Sequence, residues 1–248
     1  PTPIKYRGLS VGINFVIPSK TLNISDWVSP TANPPTAYPS KSIFTNCCND
    51  SFLKSLNNPP WIIPNNALCG FKPKAFFDPI DQFNERWLHA REKPNSFRSS
   101  DQYPAFDKVM LEQHNMFRKH SKTTFINAHF GWYANDLSKL SKILDELQNV
   151  SVEFGAVINE LGRQPRAAKK FFIEYQDRIL FGKDIYKKDE YYIYFRVLET
   201  SDEYIQYYRK RHGLWRLYGM GLPDDVLKKI YYENALKMFP SIDRSLFN

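Results

Sequence analysis

Thr124-Phe-Ile-Asn-Ala-His-Phe-Gly-Trp132 and, further on, Arg178-Ile-Leu-Phe-Gly-Lys-Asp184 decide how this chain is read. Each is a short apolar run of strand type that ends near a residue able to bind a metal or move a proton: His129 in the first, Asp184 in the second. Strands that deliver a polar residue at their C-terminal ends are the pattern of a (β/α) barrel, where chemistry gathers at that face. Between the two runs, Val150–Val157 alternates enough to form one further strand. Three consecutive strands would then bring both groups to one rim.

The surrounding pattern supports a parallel sheet. Asn135 is a good N-cap, and Leu137, Leu140, Ile143, Leu144 and Leu147 fall on one helical face behind it. Gln164–Tyr175 reads as helix, and so does the stretch from Tyr103 through Val109, Met110, Gln113 and Phe117 toward His120. Phe76–Trp87 opens with turn-forming Asp and Pro positions and runs into a helix. Helix and strand alternate at βα spacing, so the fold class is α/β, a partial and distorted TIM barrel. Tyr186–Tyr218, charged and Tyr-rich, is expected to form two helices laid like a lid over the barrel mouth. Asp224–Phe239 is a last amphipathic helix, with Asp224 and Asp225 at its positive end.

Composition divides the chain at about residue 70. Residues 1–70 hold Lys5, Arg7, Lys20, Lys41, Lys54, Asp26 and Asp50, with no Glu and no His, yet they carry ten of the 17 prolines. Such a stretch reads as loop or disordered chain. Residues 71–248 are the well-behaved part, too short for eight β/α units and long enough for roughly half a barrel. A half-barrel exposes sheet edges and unpartnered helix faces, so self-association is expected.

The net charge of +8 invites a nucleic-acid partner. Interleaving of bases with acids, as in Lys187-Lys-Asp-Glu190, argues for solvated helix faces instead, and no nucleic-acid partner is expected. Cys47, Cys48 and Cys69 form neither a disulfide framework nor a Cys-x-x-Cys pair. No apolar run is long enough to cross a bilayer, and no membrane partner is expected. No signal peptide is visible, but the chain begins with Pro1, so a targeting segment could precede it. The compartment stays open, with cytoplasm as the default.

Taken on residue types alone, His129 and Asp184 could serve a metal or a proton, or they could be a structural histidine and a helix cap. Arg163 and Arg166, read as following a strand, could clamp a substrate carboxylate or begin a solvated helix. Trp132 and Tyr133 could line the pocket or pack in the core. Tyr186, Tyr191 and Tyr194 suit a lid or packing against the sheet. His89, His114, His120 and His212 read as surface residues.

Phe76–Trp87, Phe125–Leu137, Glu160-Leu-Gly-Arg-Gln-Pro-Arg166, Tyr175–Asp184, Phe195-Arg-Val-Leu-Glu-Thr200 and Tyr232-Glu-Asn-Ala235 together resemble the amidohydrolase superfamily. The similarity runs over about residues 73–240 and is greatest to the branch that also holds metal-dependent decarboxylases. It implies a distorted TIM barrel and a divalent metal, usually zinc. By that likeness His129 is the sixth-strand histidine and Asp184 the eighth-strand aspartate. Asp184 would ligate the metal and take a proton from its water; His129 would polarise or protonate a small-molecule substrate, or join the metal.

The chain also departs from the family. It has no His-x-His pair, and Ala67-Leu-Cys-Gly-Phe-Lys-Pro-Lys-Ala-Phe-Phe77 stands where a fifth-strand histidine is expected. Codons for Ala67–Phe71 can be chosen so that reading one base later gives His-Cys-Ala-Asp. Residues 1–70 are therefore expected to be a frameshifted stretch or a divergent extension. Three functional readings follow: a metal-dependent hydrolase, a decarboxylase of the same family, and a catalytically silent fragment.

Overall fold

A computed structural model describes residues 61–63, 73–99, 103–183, 186–210 and 213–247. At its centre is a parallel sheet in the order β1-β2-β3-β4, formed by Trp61–Ile63, Phe125–Asn127, Val150–Glu153 and Ile179–Leu180. The register pairs Phe125 with Trp61 on one side and with Val150 on the other, and Val152 with Ile179. Neighbours in space are thus neighbours in sequence, which is what right-handed βαβ crossovers produce. Strand β1 falls in the segment read from composition as irregular. Its Trp-Ile-Ile run is short, but such apolar and β-branched residues suit a sheet.

Helices fill the crossovers. Helices α1 (Trp87–Glu92) and α2 (Phe106–Lys119) precede β2; α3 (Leu137–Glu146) joins β2 to β3. Helices α4 (Ile158–Gly162) and α5 (Pro165–Glu174) join β3 to β4. All three residues of β2 are buried, as expected of a strand covered on both faces. Phe117, Phe125, Phe130, Phe154, Phe172 and Leu144 pack the interior.

The strand ends opposite the site are locked by side chains. Asn149 Nδ2 donates to the carbonyls of Phe117, His120 and Thr123, at 3.2, 3.2 and 3.0 Å, and so ties the end of α2 to the entry of β2. Arg178 donates to the carbonyls of Leu144, Leu147 and Val150 and closes the end of α3. The Phe117 and Leu144 carbonyls are among the orphan acceptors that a helix leaves at its C-terminus.

Three local expectations are corrected. The N-cap of α3 is Asp136, whose carboxylate accepts from the Lys139 amide at 3.1 Å, and not Asn135; an anion suits the positive helix end better. After α6 (Lys188–Glu199) the described chain up to Tyr218 is not a second helix. It is an irregular strap closed by an antiparallel bridge between Ile205 and Leu217. The last helix is α7 (Asp224–Lys228) and α8 (Asn234–Met238), with a π-helical stretch, Lys229–Glu233, between them.

His114 is also corrected, from surface to core. It lies on the face of α2 that carries Met110, Gln113 and Phe117, and all four are buried. Burial, helped by Arg118, lowers its pKa to about 4. The unfolded chain would take up a proton near pH 6.5 that the folded chain refuses until about pH 4. Stability is therefore complete above about pH 6.5 and falls as pH drops toward 4, by an amount on the order of 3 kcal/mol. Urea titrations across that window should show the midpoint falling with pH. In His114→Gln the same window should be nearly flat, and an unchanged slope in that variant would refute the assignment.

Candidate active site

His129 stands two residues beyond the end of β2, at the start of an unusual turn. His129, Phe130, Gly131 and Trp132 all have positive φ, at 55°, 53°, 56° and 63°. Three of the four are not glycine, and each left-handed residue of that kind costs roughly 1–2 kcal/mol. Strain of this sort persists only where the surroundings over-determine it. Part of the offset is visible. Phe130 is fully buried against Phe154 and Phe172, and burial of such a ring returns about 1.5–3 kcal/mol.

The rest comes from Glu153, the last residue of β3. Its Oε1 accepts the His129 backbone N–H at 2.6 Å, and its Oε2 accepts the Gly155 N–H at 2.6 Å. Hydrogen bonds to a carboxylate are stronger than neutral ones. One side chain thus fixes the turn after β2 and the turn after β3 together. Gly182, just past β4, completes the arrangement: a Cβ there would lie 2.3 Å from Glu153 Oε2. Only glycine lets the third strand end pass this close to the carboxylate.

The imidazole is oriented by the same turn. His129 Nδ1 lies 2.6 Å from the Gly155 carbonyl. A carbonyl can only accept, so Nδ1 carries the proton and, in the neutral ring, Nε2 carries the lone pair. Glu153 Oε1 is 3.6 Å from Nδ1, which sets a negative charge beside the ring where positive charge develops if Nε2 takes a proton. Both side chains are only slightly exposed, 12% and 13%. The Trp132 ring centroid is 4.6 Å from that of His129, and its indole N–H is buried with no hydrogen-bond partner among the described residues.

Beyond Gly182, Lys183 is buried in a ring of tyrosines. Its ammonium pairs with Glu190 and lies 5.5, 5.7 and 5.9 Å from the rings of Tyr191, Tyr194 and Tyr208. This contact anchors α6 to the end of β4. Asp184, the next residue, lies outside the described residues, as do Cys69 and His212.

The remaining sequence candidates are dispersed. Tyr133 is core: it is 6% exposed, packs edge-on to Phe106, and burial pushes its hydroxyl up to about 12. Tyr194 is fully buried, with its hydroxyl accepting the Ala156 N–H at 3.1 Å, while Tyr186 is half exposed. Arg163 does not directly follow a strand; α4 intervenes. It pairs with Glu85 at 2.5 Å and Glu160 at 2.8 Å and stacks on Trp215 at 4.3 Å. Its guanidinium is thus engaged by the protein itself. Arg166 lies in the first turn of α5 and is exposed.

Among the described residues no group of three His, Cys, Asp or Glu side chains could hold a metal ion. The described residues do not by themselves fit a metal centre. No described helix is long and apolar enough to cross a membrane.

Comparison with protein families matches residues 89–241 to the amidohydrolase family. No curated protein and no solved structure matches the chain.

Proposed function

The chain belongs to the amidohydrolase family, and from that premise we propose that it is a hydrolase of a small organic substrate, with His129 as the group that protonates or polarises the scissile bond. The observation that supports this most is the fixed tautomer of His129. The Gly155 carbonyl holds the proton on Nδ1, and Glu153 holds the backbone, so the lone pair that can exchange a proton is the one on Nε2. Such positioned acid–base groups contribute about 10²–10⁴-fold to a rate. Trp132 packs its ring beside the imidazole and would line the substrate site. On the finer reading, β1 to β4 are consecutive strands in the arc of a distorted TIM barrel. Asp184, next to Lys183 in sequence, is then the second acid–base residue. The target bond is a carbonyl-type or C–N bond.

The family generally uses a divalent ion, with zinc the usual one. In this reading Asp184 and His129 are the chain's candidates to meet it, and the mechanism places no step on the metal. The test uses the full chain, with and without added zinc or manganese. It is incubated with a panel of amides, esters and arene carboxylic acids, with products identified by mass spectrometry and bound metal by elemental analysis. Release of acid and amine or alcohol supports hydrolysis. Release of carbon dioxide replaces it with decarboxylation. If no substrate turns over and no stoichiometric metal binds, the chain is a catalytically silent member of the family.

A further inference from the structure

The strap between α6 and α7 borders an open concavity of about 530 Å³ with an uneven charge distribution. Arg163, Arg209, Lys210 and Arg216 line it together with Tyr204 and Trp215, and among the described residues no carboxylate does. Arg163 is neutralised by Glu85 and Glu160. Arg209, Lys210 and Arg216 make no ion pair among the described residues. Glu190 attracts Arg209 from beyond ion-pair distance. The cations gathered around one concavity still repel each other, and a bound anion relieves that repulsion.

We propose that this cavity is a binding site for a small organic anion with a planar body. The size fits, since ligand pockets fall at about 300–1,000 Å³. Guanidinium and ammonium groups recognise the oxyanion of a carboxylate or a phosphate ester, and the aromatic walls take the planar body. Arg216 lies 5.1 Å from the Tyr204 ring, so a guanidinium is held against one such wall.

The wall is rigidly seated. Trp215 Nε1 donates to the Asn159 carbonyl at 2.9 Å, and the Tyr218 N–H donates to Gly162 at 2.8 Å. Both acceptors belong to α4, the helix that follows β3. On the other side Tyr208, next to Arg209, lies 5.9 Å from Lys183 Nζ. The binding inference stands on the cavity alone and holds whether or not His129 supports turnover.

The test is calorimetric titration of the full chain with phenyl phosphate, benzoate and neutral benzyl alcohol. Saturable 1:1 binding of either anion is expected, weakening with salt, with benzyl alcohol at least about tenfold weaker. Preference for phenyl phosphate identifies a phosphate ester as the natural class, and preference for benzoate a carboxylate. The variant with Arg209→Gln, Lys210→Gln and Arg216→Gln together should lose the anion by more than about tenfold. Arg216→Gln should lose more than Arg216→Lys, a comparison that stands even if the triple variant folds poorly. Equal binding of benzyl alcohol, undiminished binding in these variants, or no saturable binding of any probe would overturn the proposal.

Discussion

His129→Gln is expected to lower kcat about 10²–10⁴-fold on any substrate the chain turns over, while leaving the melting temperature within a few degrees. The glutamine amide can still donate to the Gly155 carbonyl, and the backbone N–H at position 129 still reaches Glu153. What is lost is the nitrogen lone pair at Nε2, and with it the capacity to exchange a proton. Glu153→Gln makes the opposite separation. A carboxamide offers one oxygen to the two backbone N–H groups that Glu153 accepts, and its NH2 group would face the second donor. A buried donor left unmet costs about 1–3 kcal/mol, so stability and activity should fall together in that variant. Steady-state kinetics and thermal melts on both variants give the comparison. Unchanged kcat in His129→Gln would remove His129 from the chemistry.

Local periodicity made much of this fold legible in the sequence. The α3 face of Leu137, Leu140, Ile143 and Leu144 is buried as its spacing requires, and β2 and β4 lie within the runs that were read as strands. What was not legible depends on contacts distant in sequence. Arg163 meets Glu85, 78 residues away, a partner that nothing near Arg163 in the sequence shows; only Glu160, three residues before it, was legible locally. The strap after α6 is charged and Tyr-rich, which resembles a helix locally. Its backbone is instead committed to the Ile205–Leu217 bridge and to contacts such as Met220 N–H with Val197 and Gly219 N–H with Asp202.

Two misses had a signal in the sequence. His114 completes the spacing Met110, Gln113, His114, Phe117, and a polar residue on a buried face is informative. Glu153 was hidden because Phe154 and Val157 are apolar and seemed to prolong the strand, whereas both are buried in the turn beyond it. Read with the strand ending at Glu153, β3 delivers a carboxylate to the rim much as β2 delivers a histidine.

Gly131→Ala is expected to be strongly destabilising, and two independent reasons add. Position 131 has φ +56°, where alanine costs about 1 kcal/mol relative to glycine. A Cβ there would also lie 2.6 Å from Asn127 Nδ2. Asn127 cannot easily move aside: its amide is buried and exchanges two hydrogen bonds with Gln113, at 3.1 and 3.2 Å. Displacing it leaves buried amide groups unmet, at about 1–3 kcal/mol. The sum, about 2–4 kcal/mol, is a large share of the 5–15 kcal/mol that holds a typical domain together. It corresponds to a melting temperature lower by roughly 5–15 °C. The double variant Gly131→Ala, Asn127→Ala separates the two reasons, because removing the Asn127 side chain relieves the clash and leaves the backbone cost. In that background the further loss from Gly131→Ala should shrink to about 1 kcal/mol. If Gly131→Ala melts within a degree of the unsubstituted chain, neither the left-handed turn nor the contact with Asn127 holds His129 in place.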